Sequence, residues 1–310
     1  MSVARVGVAG LGLIGGSIAR RLAEFPDLYE PIGFDVQKQP RSGLELADSI
    51  EQLAQIADLL IVATPPRVTG ETVAAALAAD DDVLVTDVCS VKGPVVTEVG
   101  PHPRFLPSHP LAGSETTGWS AARAELLQGA TWAVCPPAPD APPELLCRWA
   151  AVFDAFDARV IICDAEEHDR AVARTSHVPH VVAATMAAAL MHDGPWPLGA
   201  ALSGGSFREV ARVAASDPAL WGEIIELNRE KVDEVLASVH DRLPNPPDWQ
   251  AAGEVARRVR ELRWQPPTWE HREFAWPAWD ELLELGRAGI AIRRPAVDGN
   301  RLSADVAVHS

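Results

Sequence analysis

The feature that most narrows the fold is a run of glycines set between an apolar strand-like segment and a helix-like one. Arg5–Ala9 leads into Gly10-Leu11-Gly12-Leu13-Ile14-Gly15-Gly16-Ser17, in which Gly10, Gly12 and Gly15 fit G-x-G-x-x-G. In such a turn the first glycine permits the tight bend and the second lets a pyrophosphate approach the backbone. The third lets the helix pack on the strand. The helix start then offers free N–H groups and a positive dipole end to the phosphates. Asp35 follows Gly15 by 20 residues, at the end of the next apolar run, where an acidic side chain binds the ribose hydroxyls of NAD. A glycine turn alone is weak evidence, but this context makes it a dinucleotide site. Asp35 repels a 2′-phosphate and so favours NAD, although Lys38 and Arg41 leave NADP open. The expected cofactor contacts are Gly10, Gly12, Leu13, Ile14, Gly15, Asp35 and Thr64.

The rest of the first half repeats the same alternation. Pro31–Asp35, Leu59–Ala63, Val83–Asp87, Arg104–Pro107, Thr131–Cys135 and Arg159–Cys163 are short runs, mostly apolar and without polar alternation. That is the pattern of strands covered on both faces in a parallel sheet. Helix-like segments such as Ile14–Glu24, Thr69–Ala79 and Pro143–Phe156 lie between them. The order predicts an α/β, doubly wound Rossmann-type domain over residues 1–164.

After Asp164 the strand signals stop, and residues 165–310 are expected to form an all-α substrate and dimerisation domain with a Trp-rich C-terminal extension. Ala165–His192 reads as a long Ala-rich helix, bent or broken near Pro179. Phe207–Ala214 is a second helix, and Ser216-Asp217-Pro218 opens a third that runs to about His240. Pro244–Pro247 is a linker. Five of the ten tryptophans (Trp249, Trp264, Trp269, Trp276, Trp279) follow it, and Gly286–Val308 looks like a strand pair turning at Asp298-Gly299-Asn300.

Composition bounds the partners. The 310 residues carry a formal charge of −16, with 47% hydrophobic and 23% charged residues, as in ordinary globular chains. A negative field repels nucleic acid and anionic membranes, so neither is an expected partner. An anionic substrate then needs a local pocket of Arg or His. Cys89, Cys135, Cys147 and Cys163 show no C-x-x-C pairing and read as reduced cytoplasmic thiols. No secretory signal opens the chain, and Val181–Met191 is too short to span a bilayer.

A second constellation lies at the carboxyl ends of the fourth and fifth strands, where ligands of such sheets gather. It comprises Asp87-Val88-Cys89-Ser90-Val91-Lys92-Gly93 and Ser108-His109-Pro110-Leu111-Ala112-Gly113-Ser114-Glu115. Taken alone, His109 before a proline reads as a structural turn histidine, and Ser90 as a helix cap.

Together with the glycine loop, these segments closely resemble the prephenate dehydrogenase family of tyrosine biosynthesis. Further matches are Glu167-His168-Asp169, Ser176-His177-Val178-Pro179-His180, Gly204-Gly205-Ser206-Phe207-Arg208 and Ala214-Ala215-Ser216-Asp217-Pro218 with Trp221. The resemblance covers residues 1 to about 240. The tail beyond 245 is outside it and does not resemble the regulatory domain that some members append.

The resemblance implies NAD-dependent oxidation of the C4 hydroxyl of prephenate, or of arogenate, with loss of the ring carboxylate as CO2. It implies that His109 takes the hydroxyl proton and that Ser90 orients it. Imidazole, with a pKa near 6.5, suits that task at neutral pH. It further implies substrate contacts at Arg212 and His180, with Ser114 and Glu115 beside them, a cofactor contact at Ser176, and a homodimer. Arg212, rather than Arg208, matches the substrate-binding arginine, and a guanidinium fork suits a carboxylate.

No metal is expected: His177 and His180 share a helix side, but on a continuous helix His168 falls opposite His177. The alternative of buried, hydrogen-bonded core histidines stays open, and Trp221 reads as core packing. Two rival functions stand further off. A β-hydroxyacid dehydrogenase would place a catalytic lysine in the helical domain, and Ser176–His180 offers none. A non-enzymatic NAD sensor would keep the glycine loop and Asp35 but would not need Ser90, His109 and Arg212 together.

Overall fold

The computed structural model describes residues 3–37, 41, 43–114, 116–136, 143–192, 196–243, 248–264, 267–275 and 278–308. Its strands are β1 (Ala4–Ala9), β2 (Tyr29–Phe34), β3 (Glu45–Leu46), β4 (Leu59–Val62), β5 (Leu84–Asp87) and β6 (Phe105–Pro110). These are followed by β7 (Thr131–Val134), β8 (Arg159–Ile162), β9 (Thr268–Ala275), β10 (Ile292–Asp298) and β11 (Arg301–Val308). They form one sheet in the order β3-β2-β1-β4-β5-β6-β7-β8-β10-β11-β9. All seven strands expected in the first half are present, and the reversal of order about β1 leaves the glycine loop at the crevice where such sheets bind ligands.

The sheet departs from the all-parallel expectation at β7, which runs antiparallel to β6. A parallel pair needs a crossover, usually a helix on one face of the sheet. The described part of the β6–β7 connection has only the short turn Trp119–Ala121, and the chain returns antiparallel.

The long helix expected over Ala165–His192 is divided. Ala165–Val172 and Val178–His192 are α-helical, and Ala173–His177 forms a wide π turn between them. The break precedes Pro179. A proline inside a helix removes its own N–H and collides with the carbonyl four residues back, here that of Thr175. The wide turn sits where that carbonyl must be displaced, and such turns gather at functional sites. The third helix is divided as well, into Pro218–Leu227 and Arg229–Arg242. Asp217 caps the first of these by accepting from Ala219 N and Leu220 N. The buried Asn228 at the joint turns its side chain inward, to partners described below. The expected linker Pro244–Pro247 lies outside the described residues.

The C-terminal extension corrects the domain boundary. Residues 268–308 are not part of a helical unit: β10 pairs antiparallel with β8 through Ile292 and Val160, and β11 and β9 extend the sheet beyond it. The expected strand pair is present as β10 and β11, with Gly299 at φ +57° in its turn. The helix Trp279–Arg287 packs on β8 so tightly that a Cβ on Gly286 would stand 1.7 Å from the Ile162 carbonyl oxygen. Trp279, Leu282, Leu302 and Val306 share one core with Val6, Val8, Trp132 and Trp149. Residues 268–308 therefore return to the nucleotide-binding sheet rather than to the helical unit. Among the described residues no helix is long and apolar enough to cross a membrane.

This packing predicts that Trp279→Ala destabilises the nucleotide-binding body. Removing a fully buried indole costs about 3–5 kcal/mol. Urea unfolding followed by far-UV circular dichroism should show that loss in the main transition, whereas an unchanged midpoint would mean that the extension folds apart from the sheet.

Candidate active site

The glycine loop has the geometry that its spacing implies. Gly10 sits at φ +88°, and a Cβ there would meet the Ala63 carbonyl oxygen at 2.5 Å. A Cβ on Gly15 would stand 1.9 Å from the Gly10 oxygen, so helix and strand can approach only without side chains. Gly12 differs: nothing lies within 4 Å of its hypothetical Cβ, leaving open space before the first turn of the helix Leu13–Leu22. Leu13 and Ile14 form that turn, whose N–H groups have no partner within the helix. The Asp35 carboxylate accepts from Leu11 N and Gln37 N, both at 2.8 Å, and so holds the loop against the end of β2. Thr64 lies past β4, its Oγ1 3.3 Å from that of Thr69. A nucleotide's phosphates fit the open space before Gly12 and its ribose the edge carrying Asp35. Lys38 lies outside the described residues.

His109 stands on β6, at the carboxyl end of the sheet beyond this loop, and is half-buried. Its Nδ1 is 2.9 Å from Nε2 of His168, and His168 Nδ1 donates to Asp169 Oδ1 at 2.8 Å. A carboxylate can only accept, so the His168 proton resides on Nδ1 and its Nε2 accepts from His109 Nδ1–H. That leaves His109 Nε2 with a free lone pair. Asp169 is fixed in turn by the backbone, because Oδ1 accepts from Lys92 N and Oδ2 from Gly93 N, each at 2.8 Å. Burial favours its neutral acid, yet hydrogen bonds from His168 and these amides hold it below the ordinary carboxylate range. Burial pushes His109 well below the usual imidazole value, and the neighbouring His168, Lys92 and His177 push the same way. His109 is therefore a neutral base at pH 7.

Beneath this chain lies a buried ion pair. Lys92 Nζ donates to Asp87 and, at 2.7 Å, to the Ser108 carbonyl. Cys89 N and Ser108 N also donate to Asp87. The pair braces the ends of β5 and β6 against each other.

The helical unit closes the other side. Asn228 Nδ2 donates to the Asp169 carbonyl at 2.9 Å and lies 3.1 Å from His177 Nδ1. Burial takes His177 down to about 4. His180 stacks on Trp221 with ring centroids 3.4 Å apart, and its Nδ1 donates to the Ser176 carbonyl at 2.8 Å. Burial lowers its pKa as well, and the Arg212 charge nearby adds to the shift. Arg212 itself is exposed, its Nε 3.4 Å from Glu209 Oε2. Trp221 is thus more than core packing, since it is the platform beneath His180.

The expected residues are partly brought together. His109, Ser90 and the Asp35 loop share the carboxyl edge of the sheet, and His180 sits near Arg212. The residue hydrogen-bonded to His109, however, is His168 and not Ser90; no bond between Ser90 and His109 occurs among the described residues. His168 does not face away from His177 as expected. The helix between them is not continuous, and the π turn rotates the two buried rings towards one region. Ser114 lies in the loop after β6 with its Oγ 3.0 Å from Thr116 Oγ1. Glu115 lies outside the described residues. Among the described residues no group of three His, Cys, Asp or Glu side chains is arranged to hold a metal ion.

Comparison with known proteins gives the family of the chain. Residues 33–162 match the family model for the prephenate dehydrogenase nucleotide-binding domain, and residues 164–245 match that for the prephenate dehydrogenase dimerization domain. The first match begins after the glycine loop, so the loop's geometry is separate evidence. The chain is 35% identical over 245 residues to a cyclohexadienyl dehydrogenase of Zymomonas mobilis, covering 74% of this chain and 83% of that protein. It is 32% identical to the prephenate dehydrogenase of Bacillus subtilis, covering 73% of this chain but 64% of that longer relative. The A. aeolicus prephenate dehydrogenase, solved with hydroxyphenyl propionate and NAD+, superposes with a TM-score of 0.71 at 26% identity, covering 85% of this chain and 97% of that one. The chain belongs to the prephenate dehydrogenase family.

Proposed function

We propose that this protein oxidises the C4 hydroxyl of prephenate with NAD and releases the ring carboxylate as CO2, giving 4-hydroxyphenylpyruvate for tyrosine biosynthesis. The observation that carries this reading is His109, held with Nε2 free by His168 and Asp169 at the sheet edge beside the glycine cradle. NAD, when bound, supplies the acceptor for the hydride that leaves C4. As that hydride departs, His109 Nε2 takes the hydroxyl proton. The positive charge arriving on His109 is met by the hydrogen bond from its Nδ1–H to His168, backed by the Asp169 carboxylate. Ser90, half-buried at the end of β5, is within the same edge and serves to orient the substrate hydroxyl. Arg212, with Ser114, binds the substrate carboxylates, which a chain of charge −16 would otherwise repel, while His180 lines the pocket as a neutral acceptor and Glu115 sets its charge. Ser176 and Thr64 complete the cofactor's surroundings. Arogenate is the second reading, supported by the similarity to a cyclohexadienyl dehydrogenase.

NAD reduction measured in parallel with prephenate and arogenate tests this proposal. Prephenate should be turned over, with kcat in His109→Asn lower by about 10²–10⁴-fold and NAD affinity little changed. Arg212→Ala should raise KM about ten- to a hundredfold, as expected for one charge-assisted hydrogen bond. Because only neutral His109 acts and its pKa is lowered, kcat/KM should hold through pH 6.5 and fall only in more acid solution. Turnover of neither substrate would remove the reading, and near-normal kcat in His109→Asn would move the base elsewhere.

The helical unit supports a homodimer. Val182, Met186, Met191, Trp196, Leu198 and Leu202 are exposed on it, an apolar load that a monomer leaves in water. The match of residues 164–245 to a dimerization domain supports the same reading. The four cysteines stand unpaired, which supports a cytoplasmic enzyme. Light scattering should give twice the chain mass of 33.2 kDa, and a single-chain mass at micromolar concentration would contradict the dimer.

A further inference from the structure

Cys135 and Cys163 occupy paired positions at the carboxyl ends of β7 and β8. The parallel register runs from Thr131 opposite Arg159 to Val134 opposite Ile162, so the next residue on each strand is a cysteine. The ladder continues there, since Cys163 N donates to the Val134 carbonyl at 3.1 Å. Paired side chains of neighbouring strands project from the same face, so the two thiols stand side by side. Neighbouring strands lie about 4.8 Å apart. A disulfide spans Cα separations of about 4.4–6.8 Å, so the two positions are within reach of each other, and closing the bond to Cβ atoms about 3.8 Å apart draws the two strand ends together. Both thiols are free, Cys135 buried and Cys163 half-buried.

The place matters as much as the pairing. On one side, β7 lies against β6, with Ala133 opposite His109. On the other, Cys163 is followed at once by Asp164, whose carboxylate caps the helix that carries His168 and Asp169. A link between the two cysteines would act on both strands of support for the His109–His168 hydrogen bond.

We propose that Cys135 and Cys163 form a reversible disulfide on exposure to a hydroperoxide, and that this bond lowers turnover by displacing His109 relative to His168. Cys163 is the first to react, being the more exposed. The neighbouring Cys163 thiol and burial hold the Cys135 thiol well above the ordinary range, so Cys135 is the slower nucleophile and reacts only once a sulfenic sulfur stands beside it. Cys163 sulfur attacks one peroxide oxygen, the O–O bond breaks, and the leaving hydroxide takes the Cys163 proton as water. Cys135 sulfur then attacks the resulting sulfenic sulfur, the S–O bond breaks, and its hydroxide leaves with the Cys135 proton as a second water. Two thiols lose two electrons in all, and the peroxide is reduced to two waters.

The test exposes the full-length protein to hydrogen peroxide, alkylates the remaining thiols in denaturant and maps the peptides without reduction. The expected result is one peptide pair joined through Cys135 and Cys163, with Cys89 and Cys147 recovered alkylated. In parallel, kcat should fall by about ten- to a hundredfold, the loss expected from misplacing a reacting group by about an ångström, and dithiothreitol should restore it. Cys163→Ser should keep its kcat under the same peroxide. The turnover arm rests on the dehydrogenase reading, whereas the peptide map does not, so the two failures are distinguishable. Recovery of all four cysteines as alkylated thiols overturns the proposal, and so does a linked peptide pair with unchanged kcat in an active enzyme.

Discussion

The Asp169 carboxylate accepts two backbone N–H groups from the start of the helix Gly93–Val99 and a ring N–H from His168. Three charge-assisted hydrogen bonds of about 1.5–3 kcal/mol each converge on one buried group. Much else depends on that convergence. It ties the helical unit to the turn after β5, because Asp169 belongs to the first helix of that unit and Lys92 is the residue that opens the helix Gly93–Val99. It fixes the proton on His168, and through His168 the proton on His109. Without the carboxylate, two main-chain donors and the His168 Nδ1–H would be left buried and unpaired, and His109 would lose its assigned tautomer.

The buried Lys92–Asp87 pair is the second layer of the same device. Burying two charges is worth little as stabilisation, since desolvation offsets most of the attraction. Its contribution is positional. Asp87 and the Ser108 carbonyl are drawn to one ammonium, so the ends of β5 and β6 cannot separate. The Lys92 charge, close to His109, also keeps that ring neutral and ready to accept a proton. A strongly acidic chain thus carries two cations near this edge in opposite settings, Lys92 buried beneath His109 and Arg212 exposed to solvent.

What could be read from the sequence was whatever a short segment determines alone. The glycine loop, Asp35, seven of the eight strands of the first half and the turn at Gly299 rest on local signals of conformation and burial. The role of His168 was not legible, although Glu167-His168-Asp169 stood out as a motif. Its spacing from His177 reads correctly only with the π turn, and Pro179 marked a break without giving its width. Asp87 and Lys92 lay in a segment already singled out, but burial of a lysine depends on a partner that only the fold brings beneath it. The docking of residues 268–308 was least legible of all. It depends on one antiparallel pairing between Ile292 and Val160, far apart in the chain, and on an indole buried from the far end of the sequence.

The central claim is that Asp169 and His168 leave His109 protonated on Nδ1 and bare on Nε2. Nitrogen-15 NMR of protein labelled at histidine, recorded at neutral pH, reads this directly from the ring-nitrogen shifts and their couplings to the carbon-bound protons. The account predicts that both His109 and His168 carry their proton on Nδ1. A neutral His109 with its proton on Nε2 would contradict it, because that ring could not accept a proton where the substrate hydroxyl lies.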